Sequence, residues 1–180
     1  MKKTVILSLV FLLSMSCKEE VRFDLKVQNQ MVKFSEEIFG AQKIDSKKVL
    51  GSIKDISTVI YQDTSASGTN PAPTIYSNPS GNCYFKVYER PKGMIYGISF
   101  FKNNTEITSA EYHDNGQVQC QFKVDKKGIK NGTYNCFHRN GKIRKKGTYL
   151  NGKESGIETV YDSIGNKTSE FDYKSMKYID

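Results

Sequence analysis

The chain begins with an almost unbroken apolar run from Val5 to Leu13, interrupted only by Ser8, and the charged triplet Lys18-Glu19-Glu20 closes the region. A membrane-spanning helix needs roughly 20 apolar residues, so this run is too short to span. Next, Val21, Phe23, Leu25 and Val27 alternate with Arg22, Asp24 and Lys26, a period of two that predicts a half-buried strand. Asp45-Ser46 ahead of KKVLGSIKD predicts a short helix, and STVIYQ (57–62) a second strand. Residues 63–81 hold three of the four prolines among small polar residues and predict a linker or loop.

From residue 82 onward the pattern is repetitive. An aromatic residue (Tyr88, Tyr112, Phe137, Tyr161) precedes a turn segment that closes on Gly93, Gly116, Gly141 and Gly165, spaced by 23, 25 and 24 residues. Short arms such as GTYNCF and KIRKKGTY flank an Asn-Gly pair, whose residues tolerate the positive φ of a tight hairpin turn. Each unit is expected to be a strand, a turn, a strand and a loop. Gly132 and Gly156 each lie nine residues before a turn glycine, where close backbone approach is expected to exclude a side chain.

Lys2 and Lys3 ahead of the first apolar run make it an export signal. The stretch Leu13-Ser14-Met15-Ser16-Cys17 resembles the lipobox of bacterial lipoproteins, which implies an acylated Cys17 and a membrane tether. Lys18-Glu19-Glu20 resembles a tag that carries such proteins to the outer leaflet. The expected organisation is a signal peptide (1–16), a tether with a small α/β segment (17–62), the linker (63–81) and a repeat domain (82–180). The expected location is the cell envelope, with a lipid anchor in the outer membrane and exposure at the surface.

The segment GTYNCFHRNGKIRKKGTYLNGKESGIETVYDSIGNKTSEFDY resembles the MORN-type repeat, in the variant of bacterial YwqK-family antitoxins of toxin-antitoxin systems. That resemblance implies a mainly β fold, an elongated antiparallel sheet of stacked MORN-like hairpins, with the short α/β segment before it. It implies no enzymatic activity and no cofactor. It also implies a binding role, as an antitoxin or immunity protein acting on a toxin.

Charge adds a second candidate. The chain carries 27 Lys and Arg against 19 Asp and Glu, net +8, and ten of those cations lie between Lys123 and Lys153 beside a single acid, Asp125. Arg139, Lys142, Arg144, Lys145 and Lys146 are the candidate basic face. The alternative function is therefore adhesion or envelope structure, with acidic lipid headgroups or polysaccharide held by that face. An exported chain seldom meets nucleic acid, so no nucleic-acid partner is expected.

Other chemistry is sparse. Cys120 and Cys136 fall in neighbouring arms and form the candidate disulfide, with two unlinked thiols as the alternative. His113, His138 and Asp162 occupy one step of successive repeats and are expected to be exposed turn residues; no metal site is expected. No catalytic triad, carboxylate pair or phosphate loop is present in the sequence, and the tyrosines are expected to pack on the sheet.

Overall fold

The computed structural model describes residues 3–62 and 72–179, with side chains described for 18–60 and 72–179. Two helices, α1 (Lys3–Gly40) and α2 (Ser46–Ile56), precede eleven strands. These are β1 (Thr58–Gln62), β2 (Thr74–Ser77), β3 (Cys83–Arg90), β4 (Met94–Lys102), β5 (Thr105–Tyr112), β6 (Val118–Val124), β7 (Lys130–Phe137), β8 (Ile143–Leu150), β9 (Lys153–Tyr161), β10 (Lys167–Asp172) and β11 (Lys177–Ile179). All eleven form one antiparallel sheet in chain order. The fold is mainly β, as the repeated strand–turn–strand units predict. The sheet nevertheless runs on without a break, so no hairpin stands as a separate repeat unit.

Two expectations change here. Residues 21–27 are not a strand but part of α1. Their alternating residues Val21, Phe23 and Leu25 are exposed, whereas Val27, Met31, Ser35 and Ile38 are buried, a three-to-four spacing that seats one helical stripe on the sheet. The linker expected at 63–81 is also shorter. Residues 63–71 lie outside the described residues, and Thr74–Ser77 form β2, hydrogen-bonded between β1 and β3. The sheet thus begins at Thr58, within the segment assigned to the tether, and not at residue 82.

Helix α2 starts where the sequence signals it. The Asp45 carboxylate accepts hydrogen bonds from the amides of Lys47 (2.9 Å) and Lys48 (3.2 Å), satisfying two donors of the first turn. The helices cover one face of the sheet. Val27, Met31, Ile38, Ile44, Val49 and Ile53 pack with Tyr76, Phe85, Val87, Ile98, Phe100, Ala110, Tyr112 and Val118 to form the core. On β3 the alternation is clean: Cys83, Phe85 and Val87 face this core, and Tyr84, Lys86 and Tyr88 face away. From β7 onward only Phe137 reaches the cluster, as a half-buried neighbour.

The glycines at the turns have the conformation their position demands, with φ of +73° at Gly93, +78° at Gly116, +83° at Gly141 and +100° at Gly165. Three residues after each one, the register shifts and leaves Tyr96, Gln119, Arg144 or Thr168 without a direct cross-strand partner. Such bulges bend a strand and re-aim side chains. Adjacent turns are tied together as well. His113 Nε2 donates to the Phe137 carbonyl at 2.9 Å and His138 Nε2 to that of Tyr161 at 2.9 Å, while Asn115 and Asn140 donate to the carbonyls of Arg139 and Ser163.

Gly132 and Gly156 require a different reason from close approach. A Cβ would meet nothing nearer than 3.9 Å at Gly132 and nothing within 4 Å at Gly156, but their φ values are +98° and +68°. Strain in the backbone, not crowding, makes them glycines. Substitution of either by valine is expected to cost about 1 to 3 kcal/mol, read as a lowered melting temperature. An unchanged melt for both would show that the backbone relaxes there.

Candidate functional site

The face of the sheet opposite the helices is open, and the strand register lays it out in rows. One row runs Lys86, Ser99, Ser109, Phe122, Tyr134, Gly147, each residue directly opposite the next. A second runs Tyr88, Gly97, Glu111, Cys120, Cys136, Lys145, Val160. Tyr84 and Phe101 begin a third, with stacked rings 4.7 Å apart. Directly opposite residues point to the same side of a sheet, so these side chains share one surface.

Two glycines in these rows make room for aromatic rings. A Cβ on Gly147 would lie 2.8 Å from the Tyr134 hydroxyl and 2.9 Å from its ring carbons, and one on Gly97 would lie 3.3 Å from the Tyr88 ring. The tyrosine therefore lies across its glycine neighbour. Cations cap the aromatics: Lys86 sits over Phe101 (4.6 Å), Arg90 over Tyr96 (5.6 Å), Lys130 over Phe122 (3.9 Å) and Tyr149 (5.1 Å), and Lys145 over Tyr134 (5.3 Å). Each pair places a positive charge against an electron-rich ring face.

Between β3 and β6 the open face deepens into a cleft of about 520 Å³. Its lining includes Tyr88, Arg90, Tyr96, Ser99, Ser109, Glu111 and Gln119, with Ala72 and Pro73 at one side. Two bulge residues, Tyr96 and Gln119, contribute to it. Burial, and then the charge of Glu106, raise the Tyr84 and Tyr88 phenols above their ordinary pKa. Both remain protonated donors at neutral pH.

A polar network occupies the other end of the face. The Tyr134 hydroxyl donates to Glu158, Lys145 donates to the same carboxylate at 2.8 Å and lies 3.7 Å from Glu154, and the Tyr173 hydroxyl donates to Glu154 at 2.9 Å. Burial disfavours the Glu158 carboxylate, but the hydrogen bonds from Lys145 and Tyr134, with the charges of Lys145 and Arg144, hold its pKa below the ordinary value. Burial and the bond to Glu158 push the Tyr134 phenol well up. This network is closed on itself. Beside it Cys120 and Cys136 are joined in a disulfide between β6 and β7, while Cys83 is a buried free thiol.

The five cations singled out in the sequence are not brought together. Arg139 pairs with Asp114 between adjacent turns, Lys142 donates to the Ile164 carbonyl at 2.8 Å, and Arg144 sits at a bulge. Lys145 lies on the open face inside the carboxylate network, whereas Lys146 lies on the other side, 5.5 Å from the Tyr161 ring centroid. Consecutive residues of a strand point oppositely, so a run of cations divides between two faces. The open face also carries Lys86 and Arg90, which the charge count passes over, and Lys130, which lies within the counted run. His113 and His138, expected to be exposed, are half-buried and donate to the Phe137 and Tyr161 carbonyls beside the neighbouring turns, and Asp162 accepts from the amides of Ile164, Gly165 and Asn166. Among the described residues no cluster of three metal-ligating side chains forms, and no helix is long and apolar enough to cross a membrane.

No family model and no curated protein matches the chain. Among solved structures it is similar to the GtfA/B complex, at 10% identity over 68% of this chain and 23% of that one, with a TM-score of 0.41. It is similar to the pneumococcal O-GlcNAc transferase GtfA in complex with UDP and GlcNAc, at 10% identity over 69% and 24%, TM-score 0.39. It is also similar to accessory secretory protein 1,2 and 3 of Streptococcus pneumoniae, at 11% identity over 69% and 22%, TM-score 0.35. The chain spans less than a quarter of the length of these three structures. At these scores they assign it no activity, substrate or partner.

These comparisons correct the resemblance drawn from the sequence. No MORN-type or antitoxin model matches, and the similar structures belong to glycosyltransferase and accessory-secretion proteins. The readings as a MORN-type repeat protein and as an antitoxin or immunity lipoprotein acting on a toxin are withdrawn.

Proposed function

We propose that this chain is a non-enzymatic adhesion or envelope-structural protein that binds polysaccharide on the open face of its sheet. The observation that carries this reading is the repeated pairing of an aromatic ring with a cation across that face: Lys86 with Phe101, Arg90 with Tyr96, Lys130 with Phe122 and Tyr149. Flat rings suit the C–H faces of sugar rings, and the tyrosine hydroxyls and cations suit their polar rims. Acidic lipid headgroups fit less well. The cations lie back over rings instead of projecting, and the aromatics are half-buried in the sheet, so neither reaches into a bilayer surface. In this reading Cys17 is the acylated tether, and Lys18-Glu19-Glu20 directs the chain to the outer leaflet of the outer membrane.

The test compares the full chain with a Lys86→Gln/Lys130→Gln variant on an immobilised acidic polysaccharide and on anionic phospholipid vesicles. The parent is expected to bind the polysaccharide and the variant to bind it about tenfold more weakly at low salt, the gap narrowing as salt screens the charges. Binding confined to vesicles, or equal polysaccharide binding by both proteins, would remove the proposal.

A further inference from the structure

The cleft between Tyr88 and Tyr96 holds a feature that general stickiness toward polymers does not require. Ser99 and Ser109 line it, are only 7% and 9% exposed, and have their hydroxyl oxygens 3.0 Å apart. Two hydroxyls carry two hydrogens, and one hydrogen bond between them uses one. Among the described residues neither hydroxyl has another hydrogen-bond partner, so the second O–H is free to donate to whatever occupies the cleft. Their position in the lining makes a molecule in the cleft the available acceptor.

Arg90 makes no ion pair among the described residues and is exposed, with its guanidinium over the Tyr96 ring. At 5.6 Å from the ring centroid the cation is attracted by the ring face without using up its N–H edges, which can take a carboxylate through two parallel hydrogen bonds. The rings of Tyr88 and Tyr96 stand 5.9 Å apart and are inclined at 52°, forming an angled wall. Glu111, exposed in the same lining, can only accept hydrogen bonds at neutral pH. The cleft thus offers a cation fork, a buried hydroxyl donor, an anionic acceptor and aromatic walls, within the roughly 300–1,000 Å³ range of small-ligand sites.

We propose that this cleft is a subsite for a carboxylated sugar unit, a uronic acid residue of an acidic polysaccharide. The carboxylate pairs with Arg90, a ring or hydroxyl oxygen accepts from the Ser99/Ser109 pair, sugar hydroxyls donate to Glu111, and the ring packs against the tyrosines. A neutral sugar leaves Arg90 unused. The inference rests on the reading of the open face as a polysaccharide-binding surface, and narrows it to one position and one chemistry.

The experiment titrates the full chain calorimetrically with an oligogalacturonate hexamer and with neutral cellohexaose. The expected result is binding of the acidic hexamer at least about tenfold tighter than the neutral one, as a charge-assisted bidentate contact requires. Arg90→Gln should remove that preference with an unchanged melting temperature. Arg90→Lys should keep only part of it, and Ser109→Ala should weaken both hexamers. If Arg90→Gln binds the acidic hexamer as the parent does while Lys86→Gln/Lys130→Gln does not, the open face binds polysaccharide and the cleft is not its acidic subsite. If the parent binds neither hexamer nor the immobilised acidic polysaccharide, both readings fall together.

Discussion

Replacing Gly116 with alanine is expected to lower the melting temperature by about 10 °C, far more than the same change at Gly93. Both glycines close a turn at nearly the same conformation, φ +78° and +73°, so both variants carry the strain of a side chain in the left-handed region. Only Gly116 also touches another element. A Cβ there would lie 2.2 Å from the backbone carbonyl oxygen of Ile44, whereas nothing lies within 4 Å at Gly93. Backbone cannot swing aside as a flexible side chain can, so the segment joining α1 and α2 must lift.

Lifting that segment breaks specific bonds. The Ile44 amide donates to the Gly116 carbonyl at 2.9 Å, and the Val118 amide donates to the Gln42 carbonyl at 2.9 Å. The Gln117 side chain donates to the same Gln42 carbonyl at 2.6 Å. Local strain of about 1 to 3 kcal/mol and two or three lost bonds of about 1 kcal/mol each add to roughly 3 to 6 kcal/mol. At about 2 to 4 °C per kcal/mol for a chain of this size, that is the expected shift. Should Gly116→Ala and Gly93→Ala melt together, the helix linker contributes nothing to stability through this turn.

The same contact shows what could be read from the sequence and what could not. The spacing of the turn glycines and of the aromatics before them identified the strands from β3 onward, because a tight turn closes each pair of arms. The helix through residues 21–27 was hidden. Four alternating apolar residues outweighed a stripe that begins only at Val27 and passes through a serine, Ser35, before reaching Ile38. The glycine and aromatic spacing suggested a named repeat family, but any meander of equal arms joined by tight turns generates that spacing. The cleft was less legible still. Its lining is drawn from several strands, and the bulges at Tyr96 and Gln119 set two of its residues; a period of two does not register a bulge. Lys86 and Arg90 were missed for the converse reason, since isolated cations among tyrosines leave no mark on a charge count.

The end of the sheet beyond β6 poses a separate stability problem, and the Cys120–Cys136 disulfide addresses it. No residue of β7 to β11 belongs to the buried cluster under the helices, and Phe137 is the one neighbour packed against it. These strands rely on their ladders, on the Tyr134–Glu158–Lys145 network, and on one covalent link to β6 across a sequence separation of 16 residues. A link closing a loop of that size removes unfolded-state freedom equivalent to about 3 kcal/mol. Reduction, or a Cys120→Ser/Cys136→Ser double variant, is therefore expected to destabilise the protein by about that amount. Unfolding should begin at β7–β11, where little apolar burial supports the ladder. Hydrogen exchange measured with and without reductant should show amides of residues 130–179 losing protection well before those of β3 and β4, whose core includes Phe85, Val87 and Ile98. Cys83 does not confuse the result, because it is buried and forms no disulfide. Equal melting temperatures and equal exchange in both conditions would mean that the ladder and the aromatic face hold this end of the sheet without the covalent link.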